Sequence, residues 1–176
     1  SMTTHTNNHM WIGTYGGGLK RYDGINVETY SHDPFSESSI SNSTIYDLVY
    51  KKKQGLWIAT QNGINFFNPN NESFSLFNPA SESTSVNALC EIENDILVVG
   101  THQKGVYFFN TKNKLFDKIG IPETIDENGL LINDIVIDQL SRIWVGTNYG
   151  IFNVDKNAIM LSRLSFRGSE NITPNN

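Results

Sequence analysis

Cysteine is almost missing from this 176-residue chain: Cys90 stands alone. One thiol excludes an internal disulfide and any metal site built from several cysteines. Its setting, the apolar run VNALCEI, points to a buried free thiol rather than a reactive one. Long apolar runs are missing as well. None approaches the ~18 residues of a membrane-spanning helix, and no charged start leads into an apolar stretch. Basic residues are in the minority, 13 Lys and Arg against 18 Asp and Glu, for a formal net charge of −5. Nucleic acid, whose counterions are displaced by a basic stripe, is therefore not the expected partner. The four histidines, His5, His9, His32 and His102, fall in different segments, and His5 with His9 lacks a third ligand. No metal or other cofactor is expected on that donor set. What remains is ordinary for a folded protein: 38% hydrophobic residues and a length that suits one domain with a real core.

What the chain does have is a repeat. WIGTYGGGL begins at Trp11, WIATQNGI at Trp57 and WVGTNYGI at Trp144, and VVGTHQKGV begins at Val98, with valine in place of tryptophan. The intervals are 46, 41 and 46 residues, a period that belongs to four-stranded propeller blades or to helical repeats. The pattern decides. Before each of the last three copies runs an alternating apolar segment, TIYDLVYK, SVNALCEI or LINDIVID, with the period of two of a strand. A polar turn, the tryptophan strand, a Thr-to-Gly hairpin, a third strand (INFFN, VYFFN, IFNVD) and a fourth (SFSLF, LFDKI, IMLSRL) follow. No amphipathic stretch has helical length. The expected fold is all-β, a partial propeller of about four blades, each a four-stranded antiparallel sheet.

The units fall at about 11–40, 41–84, 85–128 and 129–167, between a flexible polar arm at 1–10 and a tail at 168–176. The first unit begins near its second strand, so its inner strand is read as missing and the count is fifteen strands. An open fragment is expected over a closed ring. The glycines are hairpin punctuation: GTYGGGLK lacks the G-x-x-x-x-G-K-[ST] spacing and no helix follows it. The tryptophans are read as wedges between blades, with Trp57 and Trp144 buried at equivalent positions. Asp47 and Asp134 recur at one register of the first strand, which marks architecture rather than an acid–base pair. Lys51–Lys53 reads as a solvated turn. Three sequons, at Asn42, Asn71 and Asn171, are what an Asn- and Ser-rich chain produces by chance.

The pattern I-x-D-[LI] … L-W-I-G-T-x-x-G-[LI]-x-x-[FY]-[DN] resembles the two-component regulator propeller repeat. Ile45, Asp47 and Leu48 with Leu56–Thr60 and Gly63–Asn68 carry the likeness, as do Ile132, Asp134 and Ile135 with Ile143–Thr147 and Gly150–Ile151. The Val98 unit departs from it twice, in the valine itself and in Ala88 where the aspartate belongs. The likeness spans Asn8 to Phe166. It implies a non-catalytic, periplasmic sensor fragment that binds carbohydrate or conveys its binding within a two-component system. In that family the ectodomain stacks two seven-bladed propellers and a short β-sandwich ahead of a membrane helix and a kinase. The remaining blades or the kinase portion of such a sensor are thus implied partners, with oligo- or polysaccharide as the ligand class.

Loops joining second and third strands share one side of a propeller with the links between blades. Tyr15, Gln61, Asn62, His102, Gln103, Lys104, Asn148 and Tyr149 are therefore expected along one rim, where amides, aromatics and a cation suit sugar hydroxyls and ring faces. No nucleophile–base–orienter set is present, so no catalytic residue is assigned. The alternatives are a propeller lyase or hydrolase, since fold does not fix function, and a pure interaction scaffold. Uncovered terminal blades, with Ile12, Leu19 and Tyr22 at one end and Ile151, Val154 and Leu161 at the other, lead to an expected homo-oligomer, two half-rings making an eight-bladed pseudo-ring.

Overall fold

The computed structural model of the chain holds four antiparallel four-stranded sheets, each with its strands in chain order. The structure describes residues 1–4 (2–4 by backbone alone), 9–51, 55–80, 82–92, 95–155 and 159–164. His5, Lys52, Lys53, the tail at 168–176 and the sequon at Asn171 lie outside the described residues. Blade one comprises β1 (Met2–Thr4), β2 (Met10–Gly13), β3 (Leu19–Tyr22) and β4 (Val27–Tyr30). Blade two comprises β5 (Ile45–Lys51), β6 (Gly55–Thr60), β7 (Gly63–Asn68) and β8 (Ser73–Phe77). Blade three comprises β9 (Val86–Ile92), β10 (Ile96–Thr101), β11 (Val106–Asn110) and β12 (Phe116–Ile119). Blade four comprises β13 (Ile132–Ile137), β14 (Ile143–Thr147), β15 (Gly150–Asp155) and β16 (Met160–Arg163). The first strands β1, β5, β9 and β13 lie side by side in that order, as inner strands of a propeller do.

The first blade corrects the sequence reading. Its inner strand is present, because Met2–Thr4 pairs antiparallel with Met10–Ile12, Thr3 opposite Trp11. The amide of Gly13 also donates to the Ser1 carbonyl at 2.9 Å. A ladder is made of backbone groups alone, so a polar three-residue segment completes the sheet without the apolar alternation by which strands are recognised. The described residues hold sixteen strands rather than the fifteen expected.

Alternation along each strand sends successive side chains to opposite blade faces. On β6, Leu56 and Ile58 pack toward blade one while Trp57 and Ala59 pack toward blade three. Among the described residues the buried apolar side chains form three clusters, one at each junction of successive blades. Among the described residues, four blades with three packed junctions make an open arc. That geometry revises two expectations. Trp57 is buried at 1% exposure and Trp11 at 4%, but Trp144 is only half-buried, because no blade among the described residues packs on the face it occupies. Of the six apolar residues assigned to the open ends, Leu19, Val154 and Leu161 are buried inside junctions, leaving Ile12, Tyr22 and Ile151 toward the outside.

Candidate functional site

The hairpins between second and third strands are fastened identically in every blade. The hydroxyl of Thr14 donates to the carbonyl of Gly18 at 2.7 Å, Thr60 to Gly63 at 3.0 Å, Thr101 to Gly105 at 2.6 Å and Thr147 to Gly150 at 2.9 Å. In three of them the same hydroxyl accepts a turn amide, from Asn62, Lys104 or Tyr149. The closing glycines all have positive φ, from 76° to 111°, where a Cβ is strained. The Thr-to-Gly spacing, with two or three residues between, is thus a hairpin clasp, in line with its reading as punctuation.

These clasps share one end of the blades with the links that enter the next inner strand. The amides of Gln61, His102 and Asn148 donate to the carbonyls of Thr44, Ser85 and Leu131 at 3.2, 2.9 and 3.3 Å. On this rim Tyr15, Gln61, His102, Gln103, Lys104, Asn148 and Tyr149 are exposed and Asn62 is half-buried. Two amide side chains already have structural partners. Asn62 Oδ1 accepts from Ser83 at 2.8 Å, while Asn148 accepts from Leu131 N at 2.9 Å and donates to Gly129 O at 2.8 Å. Tyr15, 85% exposed, meets Tyr46 edge-on with ring centroids 6.4 Å apart.

Tyr46 is a rim residue that the sequence reading missed. Each of β5, β9 and β13 carries a register shift near its start, between Ile45 and Asp47, between Val86 and Ala88, and between Ile132 and Asp134. The extra residues at these bulges are Tyr46, Asn87 and Asn133. A bulge redirects a side chain from the regular pleat, often beside a binding site. The signal in the sequence is the unmatched residue between the Ile or Val and the Asp or Ala of the repeat.

Electrostatics at the junctions is structural. Asp47 Oδ1 accepts from its neighbour Leu48 N at 2.8 Å and from Ser1 Oγ at 2.9 Å, and Oδ2 crosses to Leu89 N of blade three at 2.9 Å. Asp134 likewise accepts from Ile135 N at 2.8 Å. Ala88 offers Leu89 no such group, and Asp47 supplies it from the neighbouring blade. Lys51, expected in a solvated turn, is instead buried and bridges the same junction to Glu91 and Asp95, both at 3.1 Å. Cys90 is half-buried rather than buried, and burial, with the carboxylates of Asp47, Asp134 and Glu91 adding to it, pushes its thiol above its ordinary value. No cluster of three or more potential metal ligands occurs among the described residues.

No model of a known protein family matches the chain. It is 31% identical over 162 residues to Histidine kinase P4 of Formosa agariphila, a match covering 84% of this chain and 11% of that protein. Among solved structures it resembles the extracellular domain of BT3049, described as a hybrid two-component system of B. thetaiotaomicron. There the TM-score is 0.77 at 20% identity, over 92% of this chain and 22% of that one. The extracellular domain of BT4673 from the same organism gives a TM-score of 0.79 at 17% identity, over 96% and 22%. The chain thus spans about a ninth of the curated relative and about a fifth of each ectodomain.

Proposed function

From the premise that this chain is a stretch of propeller fitting the sensor-ectodomain family of two-component systems, we propose that it serves a periplasmic, non-catalytic sensor by contributing a carbohydrate-binding rim. The observation that supports the rim is its composition: exposed Tyr15 and Tyr149, with Tyr46 beside the first, interspersed with Gln61, His102, Gln103 and Lys104. Tyrosine offers a ring face with a polar tip, and amides and imidazole offer paired donors and acceptors. That is the chemistry of sugar rings and hydroxyls. Apart from Tyr46, which projects from the bulge on β5, these side chains sit on clasped hairpins, so a ligand meets a surface whose backbone is already ordered.

A rival reading, a scaffold without a small ligand, draws support from Asn62 and Asn148, whose amides are committed to neighbouring loops. A glycan array followed by titration of any hit separates the two. Binding that falls about tenfold or more in a Gln61→Ala, His102→Ala, Tyr149→Ala triple variant supports the rim. Affinity unchanged by the triple variant removes the rim, and product formation on the same sugars replaces the sensor reading with an enzyme.

A further inference from the structure

Three steps of this chain place an aspartate or asparagine directly before a glycine: Asp23–Gly24, Asn62–Gly63 and Asn128–Gly129. Such a step can close into a cyclic imide, because glycine has no Cβ to crowd its own backbone nitrogen or to narrow its φ and ψ. The three are held very differently. The Asp23 carboxylate accepts from Asn26 N at 2.7 Å and Ile25 N at 2.8 Å, bonds that hold it ionised and below the usual carboxylate range. In that state it has no leaving group to give up. Asn62–Gly63 is locked into the clasp of blade two. Gly63 N donates to Thr84 O at 2.8 Å, while Asn62 Oδ1 accepts from Ser83 Oγ at 2.8 Å and Asn62 O from Ser41 Oγ at 2.6 Å. Neither the nitrogen nor the carboxamide is free to meet the other.

Asn128–Gly129 has no such hold. It lies in the link between blades three and four, in a single 3₁₀ turn, Glu127–Gly129, none of whose residues is buried. Asn128 is exposed, and among the described residues its carboxamide makes no hydrogen bond. The turn is closed by Gly129 N on Asp126 O at 3.2 Å and Leu130 N on Glu127 O at 3.1 Å, with the poorer bond geometry of 3₁₀ turns. A segment held by a few exposed backbone bonds opens at little cost. The same link fixes two hairpin tips. Leu130 O accepts from Gln103 N at 3.0 Å, Gly129 O accepts from Asn148 Nδ2 at 2.8 Å, and Leu131 N donates to Asn148 Oδ1 at 2.9 Å.

We propose that Asn128 is a self-modification site: it deamidates through a cyclic imide formed with Gly129, and the product releases the tips at Gln103 and Asn148. Gly129 N attacks Asn128 Cγ, the Cγ–Nδ2 bond breaks, and the departing amino group leaves as ammonia with the proton lost from Gly129 N. One water then opens the ring. Attack at Cγ restores the main chain with aspartate in place of asparagine. Attack at the Asn128 backbone carbonyl yields iso-aspartate, in which the main chain runs through Cβ and Cγ and is one carbon longer. Either product adds a carboxylate beside Asp126 and beside Glu127, which is paired with Lys118. The longer backbone of the second displaces the Gly129 and Leu130 carbonyls from the groups they hold. Water is the only co-reactant. The inference goes beyond the rim reading and stands without it, since none of its readouts needs a ligand.

Peptide mapping of the full 176-residue chain after warm incubation at mildly alkaline pH tests this, with electron-transfer fragmentation to tell iso-aspartate from aspartate. In the native chain Asn128 converts about tenfold or more faster than Asn62, and in urea, where no fold protects either, the rates converge. Amide exchange at Gln103 and Leu131 quickens in the incubated chain, while exchange at Ile58, inside blade two, is unchanged. Asn128→Gln keeps the carboxamide but moves it one carbon out of reach of the ring closure, so the same incubation leaves exchange at Gln103 as it was. An Asn62 rate equal to that of Asn128 in the native chain overturns the proposal. So does an Asn128 that stays intact there under conditions that convert it in urea, or an equal change in exchange for the wild type and Asn128→Gln.

Discussion

Replacing Asp47 with alanine removes the acceptor for two buried amides at once. Leu48 N loses its partner within blade two and Leu89 N loses its partner across the junction, and these residues are 6% and 4% exposed. An unsatisfied buried amide costs about 1–3 kcal/mol, which places the total for two at about 2–6 kcal/mol. The bond from Ser1 is solvent-exposed and adds little. Asp134→Ala strips one amide, Ile135 N, so its cost is about half. The decisive variant is Ala88→Asp, which gives Leu89 a carboxylate on the preceding residue, as Asp47 does for Leu48. In that background Asp47→Ala leaves only Leu48 without a partner, and the cycle shows a coupling of about 1–2 kcal/mol. Urea unfolding followed by tryptophan fluorescence measures it, with amide exchange at Leu89 as the local readout. Additivity within about 0.3 kcal/mol, or a cost for Asp47→Ala equal to that for Asp134→Ala, refutes the cross-blade bond.

Two further outcomes follow from burial. Trp57→Ala costs about 3–5 kcal/mol as a large-to-small change in a packed core, whereas Trp144→Ala, at a half-buried ring, costs below about half of that; equal costs in urea melts would show that the two rings are packed alike. Cys90 has a thiol raised above its ordinary value, chiefly by burial, so it alkylates more slowly near pH 8 than it does in urea. The neutral form is favoured in the native state, so its contribution to stability is complete below the unfolded thiol's pKa and declines as pH rises through the folded one. Equal alkylation rates in native and unfolded chains contradict this.

Much of the arc was legible because its signals are local and repeated. The Thr–Gly clasp, the period-two runs and the tryptophan register each recur, so three weak copies reinforce one another. What escaped is what a single strand cannot announce. The segment Met2–Thr4 is a strand by virtue of the ladder that β2 offers it, and nothing in its own side chains requires that. Trp144 and Trp57 share one motif, yet their burial differs because burial is decided by the next blade. Asp47 was placed correctly as architecture, but its reach to Leu89 depends on Ala88, 41 residues away in sequence and adjacent only after folding. The rim residues were placed by topology alone. Tyr46 was hidden because a bulge has no residue-type signature and shows only as an unmatched position in the ladder.

The clasp has a consequence for how such a surface diversifies. It uses a threonine hydroxyl, a glycine carbonyl and, in three blades, a backbone amide of the tip, and so asks for no particular side chain between them. Those tips are YGG, QN, HQK and NY, alternately three and two residues long on the same frame. The folding role and the rim role proposed for the tips thereby fall in separate parts of one short motif. A lineage of such blades can exchange one tip for another, in length as well as in chemistry, and explore new ligands while the selection that keeps the sheet folded acts on two other positions.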